Sequence, residues 1–331
     1  MKKFAEALKN NTISSLINSK PIKRDKFVFL GEEDTVRTAL MAFIKNDINT
    51  IPLKGRNVDF LGFIGISNLI KFIFSHDPTV DISTLLEFKL KNLPKNFILD
   101  VEYVDSNMSL MHLLLEFWSK SFNPKIAHIY RNHILTSNAK RRCDVITPLD
   151  FLRYLLFLNQ GQATFLNNTS ALEIENCFDI EQGFLVNWDD DIRLAMERVI
   201  QSEPYYLVAI INEETGGLEA NITFTDILPS DKSILEESIS MIHKTGISLQ
   251  SYIKTIHSDP SKVPIDPILF HPHFTIYDLI EKMTRLRIHH LWRVTPDAVQ
   301  KPLGAVGVID VLRYLSFLFR PFHHDQIEED K

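Results

Sequence analysis

Four stretches of the chain place apolar residues on one helical face, and two short apolar runs of strand length follow each of them. Val36, Leu40 and Phe43 within residues 35–45, and Ile276, Leu279, Ile280 and Met283 within 275–286, fit a 3.6-residue period. Residues 109–120 and 191–202 give the same signal, and Asp34, Asp189 and Asp190 are suited to cap helix starts. The apolar runs 48–53, 126–130, 206–211 and 291–294 come next. Beyond a polar turn lie 60–66, 143–146, 218–222 and 303–308. A leading strand is expected before each set, at 27–30, 97–101, 184–186 and 268–270. The order is strand, helix, strand, strand and a closing helix, repeated four times.

Direct repetition supports this division. Residues 146–158 and 306–318 align without a gap, sharing Asp, Leu, Arg, Tyr, Leu, Phe and Leu from Asp150 and Asp310 onward. Residues 62–73 and 220–228 are weaker copies, so Asn68, Asp150, Asp226 and Asp310 are equivalent marker positions. The period exceeds that of ankyrin or tetratricopeptide repeats, and each unit is expected to be a small subdomain. The polar run 159–170 is the best boundary between halves, dividing the chain into residues 1–160 and 161–331. Residues 229–264 contain the helix-like runs 234–243 and 249–256 and are read as structured.

Composition narrows the function classes. The chain is 45% hydrophobic and 24% charged with a net charge of −6, which fits a folded soluble protein and argues against a nucleic-acid partner. No apolar run spans a bilayer or resembles a secretory leader, so a cytoplasmic or nuclear location and no membrane partner are expected. The two cysteines, Cys143 and Cys177, provide neither a disulfide framework nor a four-thiolate metal site. His271, His273, His289, His290, His323 and His324 follow no zinc-ligand spacing, so no metal is expected. There is no glycine-rich phosphate loop and no nucleophile elbow, and 11 glycines suit a dinucleotide-binding enzyme poorly. A non-enzymatic role follows.

The candidate chemistry lies at the markers. Thr147-Pro148-Leu149-Asp150 and Thr223-Phe224-Thr225-Asp226 place a hydroxyl and a carboxylate where a helix begins. Exposed N–H groups and the positive end of the dipole favour an anion there, and a carboxylate can accept hydrogen bonds from a ribose diol. The same Thr-x-x-Asp spacing is also a capping box that satisfies the helix's own N–H groups. Asp310 keeps the acid but has Gly307 in the hydroxyl position, while the first unit has Gly65 and Asn68. Arg153 and Arg313, three residues past their aspartates, are placed for local ion pairs.

With four such units, these markers, and Arg287-Ile-His-His-Leu-Trp-Arg-Val294 at a strand start, the chain resembles cystathionine-β-synthase (CBS) repeat proteins. The four-copy arrangement is similar to the gamma subunit of AMP-activated protein kinase and its relatives. The resemblance implies an α+β fold of four tandem CBS (βαββα) repeats forming two Bateman-type modules, 1–160 and 161–331. It implies an adenine nucleotide ligand (AMP, ADP or ATP) rather than a cofactor. Thr147, Asp150, Thr223, Asp226 and Asp310 would face the ribose, and His128, His289 and His290 the phosphate. It further implies a protein partner, either a kinase catalytic or scaffold subunit or a phosphatase. The rival expectation is a ligand-free scaffold of the phosphatase-inhibitor type.

Overall fold

The computed structural model describes residues 1–20, 28–56, 60–100, 103–118, 134–137, 143–162, 165–174, 178–179, 184–203, 205–229, 231–256 and 267–324. Two short helices open the chain, α1 (Lys2–Asn10) and α2 (Ile13–Ser19), and they bury Phe4, Leu8, Ile13 and Leu16. The first unit follows as β1 (Leu30–Gly31), α3 (Val36–Asn46), β2 (Thr50–Lys54), β3 (Gly62–Gly65) and α4 (Ile66–Phe74), with α5 (Ile82–Leu86) after it. The second has β4 (Tyr103–Asp105), α6 (Leu110–His112), β5 (Ile134–Ser137), β6 (Cys143–Ile146) and α7 (Pro148–Gln162), followed by α8 (Phe165–Asn168). After β7 (Phe178–Asp179) the third contains β8 (Leu185–Val186), α9 (Ile192–Gln201), β9 (Leu207–Ile211) and β10 (Leu218–Thr223), and leads into α10 (Leu235–His243) and α11 (Leu249–Ile256). The fourth has α12 (Ile276–Leu286), β11 (His290–Val294), β12 (Pro302–Gly307) and α13 (Val308–Phe319), and α14 (Pro321–His324) ends it.

Each unit builds its own three-stranded sheet. In the first three, the leading strand runs parallel to the second strand, which is antiparallel to the third. In the fourth, Leu269 makes a single parallel bridge to Trp292, and β7 joins the far edge beside β12. The stretch between the halves is therefore partly sheet rather than a plain linker. First helices in units one and four stop the same way, with Asp47 and Arg287 in left-handed conformation.

Several expectations need correction. Of the leading strand expected at 97–101, residues 97–100 are described and form no strand of the second unit, which β4 leads; Leu99 instead bridges Phe63, and the Phe97 ring packs 5.7 Å from Phe72 in unit one. The strand expected at 126–130 lies outside the described residues, and β5 pairs with β4 and β6. Past α6 the chain widens into a π-type turn over Leu113–Trp118, where Leu113, Leu114, Leu115 and Trp118 are all buried. Unit three has no closing helix at its marker: residues 224–227 form turns. Pro229 would lack the N–H owed to Thr225 and would clash with its carbonyl, so the helix cannot propagate.

Packing runs across the halves as well as within them. One hydrophobic cluster joins α1 and α2 to units two and four, through residues such as Leu114, Phe151, Leu279 and Phe319. The other joins units one and three, through Phe43, Ile70, Met196 and Tyr252. A smaller cluster of Leu207, Ala209, Trp292 and Ala305 lies between the sheets of units three and four, where Trp292 Nε1–H donates to Asn221 Oδ1 at 3.2 Å. At the adjoining hairpin tips a Cβ on Gly217 would stand 2.4 Å from the Val299 carbonyl oxygen, so only glycine allows this approach. Single bridges tie each first-helix cap to a nearby segment: Thr35 to Lys89, Ser109 to Thr12, Asp191 to Ser248 and Thr275 to Ser170. The arrangement occurs twice along the chain, α1–α2 serving the first half as the α8 region serves the second.

Candidate functional site

All four marker side chains take the N–H three residues before them. Asn68 Oδ1 accepts from Gly65 at 3.1 Å, Asp150 Oδ2 from Thr147 at 3.1 Å, Asp226 Oδ2 from Thr223 at 2.8 Å and Asp310 Oδ2 from Gly307 at 2.8 Å. In unit two the Asp150 N–H returns a bond to Thr147 Oγ1 at 3.1 Å, completing the capping box. In unit three the Thr223 hydroxyl instead donates to Asp226 Oδ2 at 2.7 Å. The same side chain-to-backbone bond is therefore present at every marker, capping a helix in units one, two and four and closing a turn in unit three. It does not exclude a ligand, because a carboxylate has two oxygens and the cap uses one.

The second oxygens differ. Asp150 is half-buried; Lys20, just past α2, holds Oδ2 at 3.2 Å, and among the described residues Oδ1 carries no hydrogen bond. Arg153 is not its ion partner, contrary to the sequence expectation, and reaches instead to the Thr284 carbonyl in unit four at 3.4 Å. Asp310 is fully buried, and its Oδ1 accepts the Tyr205 hydroxyl at 2.7 Å with Arg313 at 3.9 Å. Burial pushes the Asp310 carboxyl up to about 6, outweighing the Gly307, Tyr205 and Arg313 contributions that pull it down.

The structure brings His290 and Asp310 together at Tyr205, with His289 beside His290 and exposed. The His290 ring lies 6.4 Å from His289 and 5.9 Å from Tyr205, and its Cδ2 is 3.2 Å from where a Gly307 Cβ would be. Burial pushes the His290 imidazole down to about 3, with His289 adding to the effect; His289 keeps solvent contact, yet the surrounding protein also lowers it. Both rings are thus neutral near pH 7 until an anion raises them. His128 lies outside the described residues. The Thr147–Asp150 and Thr223–Asp226 pairs stand in their own units.

A network that sequence reasoning missed crosses from unit one to unit three. Lys71, three residues past the Asn68 marker, donates to Glu203 at 2.6 Å and to the Tyr206 hydroxyl at 2.9 Å, while the Tyr206 hydroxyl donates to Glu203. Tyr206 has a φ of 51°, a left-handed conformation that is a strained outlier for an aromatic residue. The kink separates two adjacent rings: Tyr205 turns to unit four and Tyr206 to unit one. Nearby, α4 and α9 flank an open groove of about 280 Å³ lined by Lys71, Phe74, Glu197 and Ile200, which includes none of the marker residues. Among the described residues no three His, Cys, Asp or Glu side chains form a metal site, and no helix is long and apolar enough to cross a membrane.

Residues 260–317 match the CBS domain model. No curated protein matches the sequence significantly. Among solved structures, a protein of Methanocaldococcus jannaschii proposed as an archaeal homologue of g-AMPK aligns with a TM-score of 0.63 at 16% identity, covering 88% of this chain and 97% of its own. An uncharacterized conserved protein of Pyrococcus horikoshii aligns at 0.47 and 15% identity over 88% and 96% of the two chains. A CBS-domain protein of Agrobacterium tumefaciens aligns at 0.33 and 14% identity over 43% of this chain and 91% of its own. Residues 260–317 thus carry a CBS domain, and the chain, α+β in class, shares the fold of the M. jannaschii protein.

Proposed function

We propose that this chain is a non-catalytic regulatory protein that binds an adenine nucleotide (AMP, ADP or ATP) beside its marker carboxylates and so modulates a protein partner such as a kinase. The observation that carries the reading is Asp150. Its cap occupies Oδ2 and leaves Oδ1 without a bond among the described residues, on a half-buried side chain at a helix start. A ribose diol can donate there while the cap persists. Asp226 is the second candidate, half-buried beside Thr223. Residues 1–160 and 161–331 serve as the two modules in this reading, supported by the duplicated bridges between helix caps and their flanking segments. Ligand would act by favouring one arrangement of the modules over another.

Calorimetry with AMP, ADP, ATP and adenosine tests the proposal. Asp150→Asn keeps an oxygen for the Thr147 N–H and removes the charge, so the expected result is a ten- to hundredfold weaker AMP affinity, from about 1.5–3 kcal/mol for a hydrogen bond to a charged acceptor. The ligand-free scaffold is the second reading, favoured by Asn68 in unit one and by the internally satisfied Asp310. Absence of binding heat and of a thermal shift with every nucleotide at millimolar concentration would establish it.

A further inference from the structure

We propose that Tyr205 is the resident occupant of the fourth unit's marker pocket, its phenol taking the Asp310 oxygen that a ligand hydroxyl would otherwise use. The nucleotide reading above supplies only the class of ligand excluded. Three observations converge. Asp310 Oδ2 is held by Gly307 N–H at 2.8 Å and Oδ1 by Tyr205 at 2.7 Å, so both oxygens are committed, and the residue is 1% exposed. Space is committed too: a Cβ on Gly307 would meet Tyr205 Cε1 at 3.3 Å and His290 Cδ2 at 3.2 Å. The glycine is therefore not simply a lost threonine. It makes room for two rings of the chain itself, where units two and three keep a hydroxyl. Finally, the left-handed backbone at Tyr206 and the anchoring of that ring by Lys71 and Glu203 fix the direction in which Tyr205 leaves the loop. Tyr205 thus links the loop ahead of one unit's strand to the marker of the next, and it decides which pockets accept ligand.

Two measurements test the assignment on the full chain. The first needs no ligand. Tyr205→Phe keeps the ring and removes only the donor. Asp310 is ionised at pH 8 and largely neutral at pH 5; the other titratable groups on the elements facing it are Arg313 on its own helix, His290 at the start of the strand that pairs with Gly307, and His289 next to His290. The loss of melting temperature should be at least about twofold greater at pH 8 than at pH 5, since a bond to a charged acceptor is the stronger one. An equal loss at both pH values overturns the proposal. The second measurement is calorimetry with AMP. Tyr205→Ala should bind one more AMP per chain than the unmodified protein, and adding Asp310→Asn to it should remove that extra site. No gain in Tyr205→Ala overturns the proposal. A protein that binds no AMP while Tyr205→Ala does would refute the nucleotide reading and support this one.

Discussion

Asp310 and Asn68 stand at equivalent buried positions and accept the same bond, from Gly307 and Gly65, yet only Asp310 carries a charge. Raised from 3.8 to about 6, Asp310 holds its proton more tightly in the folded protein than in the unfolded chain. Its contribution to stability is therefore complete below about pH 4 and is lost as the pH rises through 6. A shift of this size corresponds to about 3 kcal/mol at most. Asp310→Asn, which copies unit one, should equal the parent protein near pH 4 and exceed it by up to about 3 kcal/mol at pH 8, read as the difference between denaturation curves. The lowered histidines act with the opposite sign, removing stability as pH falls below 6.5, and cancel in that difference. A variant that loses stability at pH 8 would show the carboxylate is needed as a charge. The sequence placed Asp310 at a marker, but its satisfaction by Tyr205 was not legible, because the two residues lie far apart along the chain. Lys20 on Asp150 and Lys71 on Tyr206 escaped for the same reason.

At the scale of elements, legibility followed the strength of the periodic signal. The long match of 146–158 to 306–318 located α7 and α13, since a sustained apolar face specifies a helix. Short apolar runs did not discriminate. Residues 97–101 read as a strand of unit two because most of their side chains are apolar, but Phe97 and Ile98 pack into the core of unit one. The missing closing helix of unit three was signalled by Pro229, which the marker pattern outweighed. Its absence leaves carbonyls needing partners, and Tyr252 of α11, fully buried, donates its hydroxyl to the Ile227 carbonyl at 2.7 Å. Tyr252→Phe keeps the ring and orphans that carbonyl, so urea denaturation should show a loss of about 1–3 kcal/mol. A loss below about 0.5 kcal/mol, the range of unremarkable surface substitutions, would mean that the turn repacks or water enters.

At the scale of the whole molecule, the repeat order was legible but the partnership of the cores was not. Periodicity tells which face of a helix is apolar, and it does not tell which other helix will cover that face. The structure covers units two and four with one cluster and units one and three with another, while Trp292 and Asn221 join the sheets of three and four. The chain position 160/161 falls in the last turn of α7, close to α8, whose neighbour Ser170 bridges Thr275 at the start of α12. A cut within 159–170 therefore severs the backbone without separating either core. Parting the pieces would expose apolar helix faces from both clusters, including Leu114, Phe151, Leu279 and Ile70, at roughly 25 cal/mol per Å² of newly wetted surface. The expected outcome of limited proteolysis there is two fragments on a denaturing gel that elute as one species of unchanged size from a native sizing column. They should come apart only in denaturant, in a single transition reported alike by Trp118 in unit two and Trp292 in unit four. Fragments that separate under native conditions, each folded, would show that the contacts crossing the halves contribute little and that each half holds its own core.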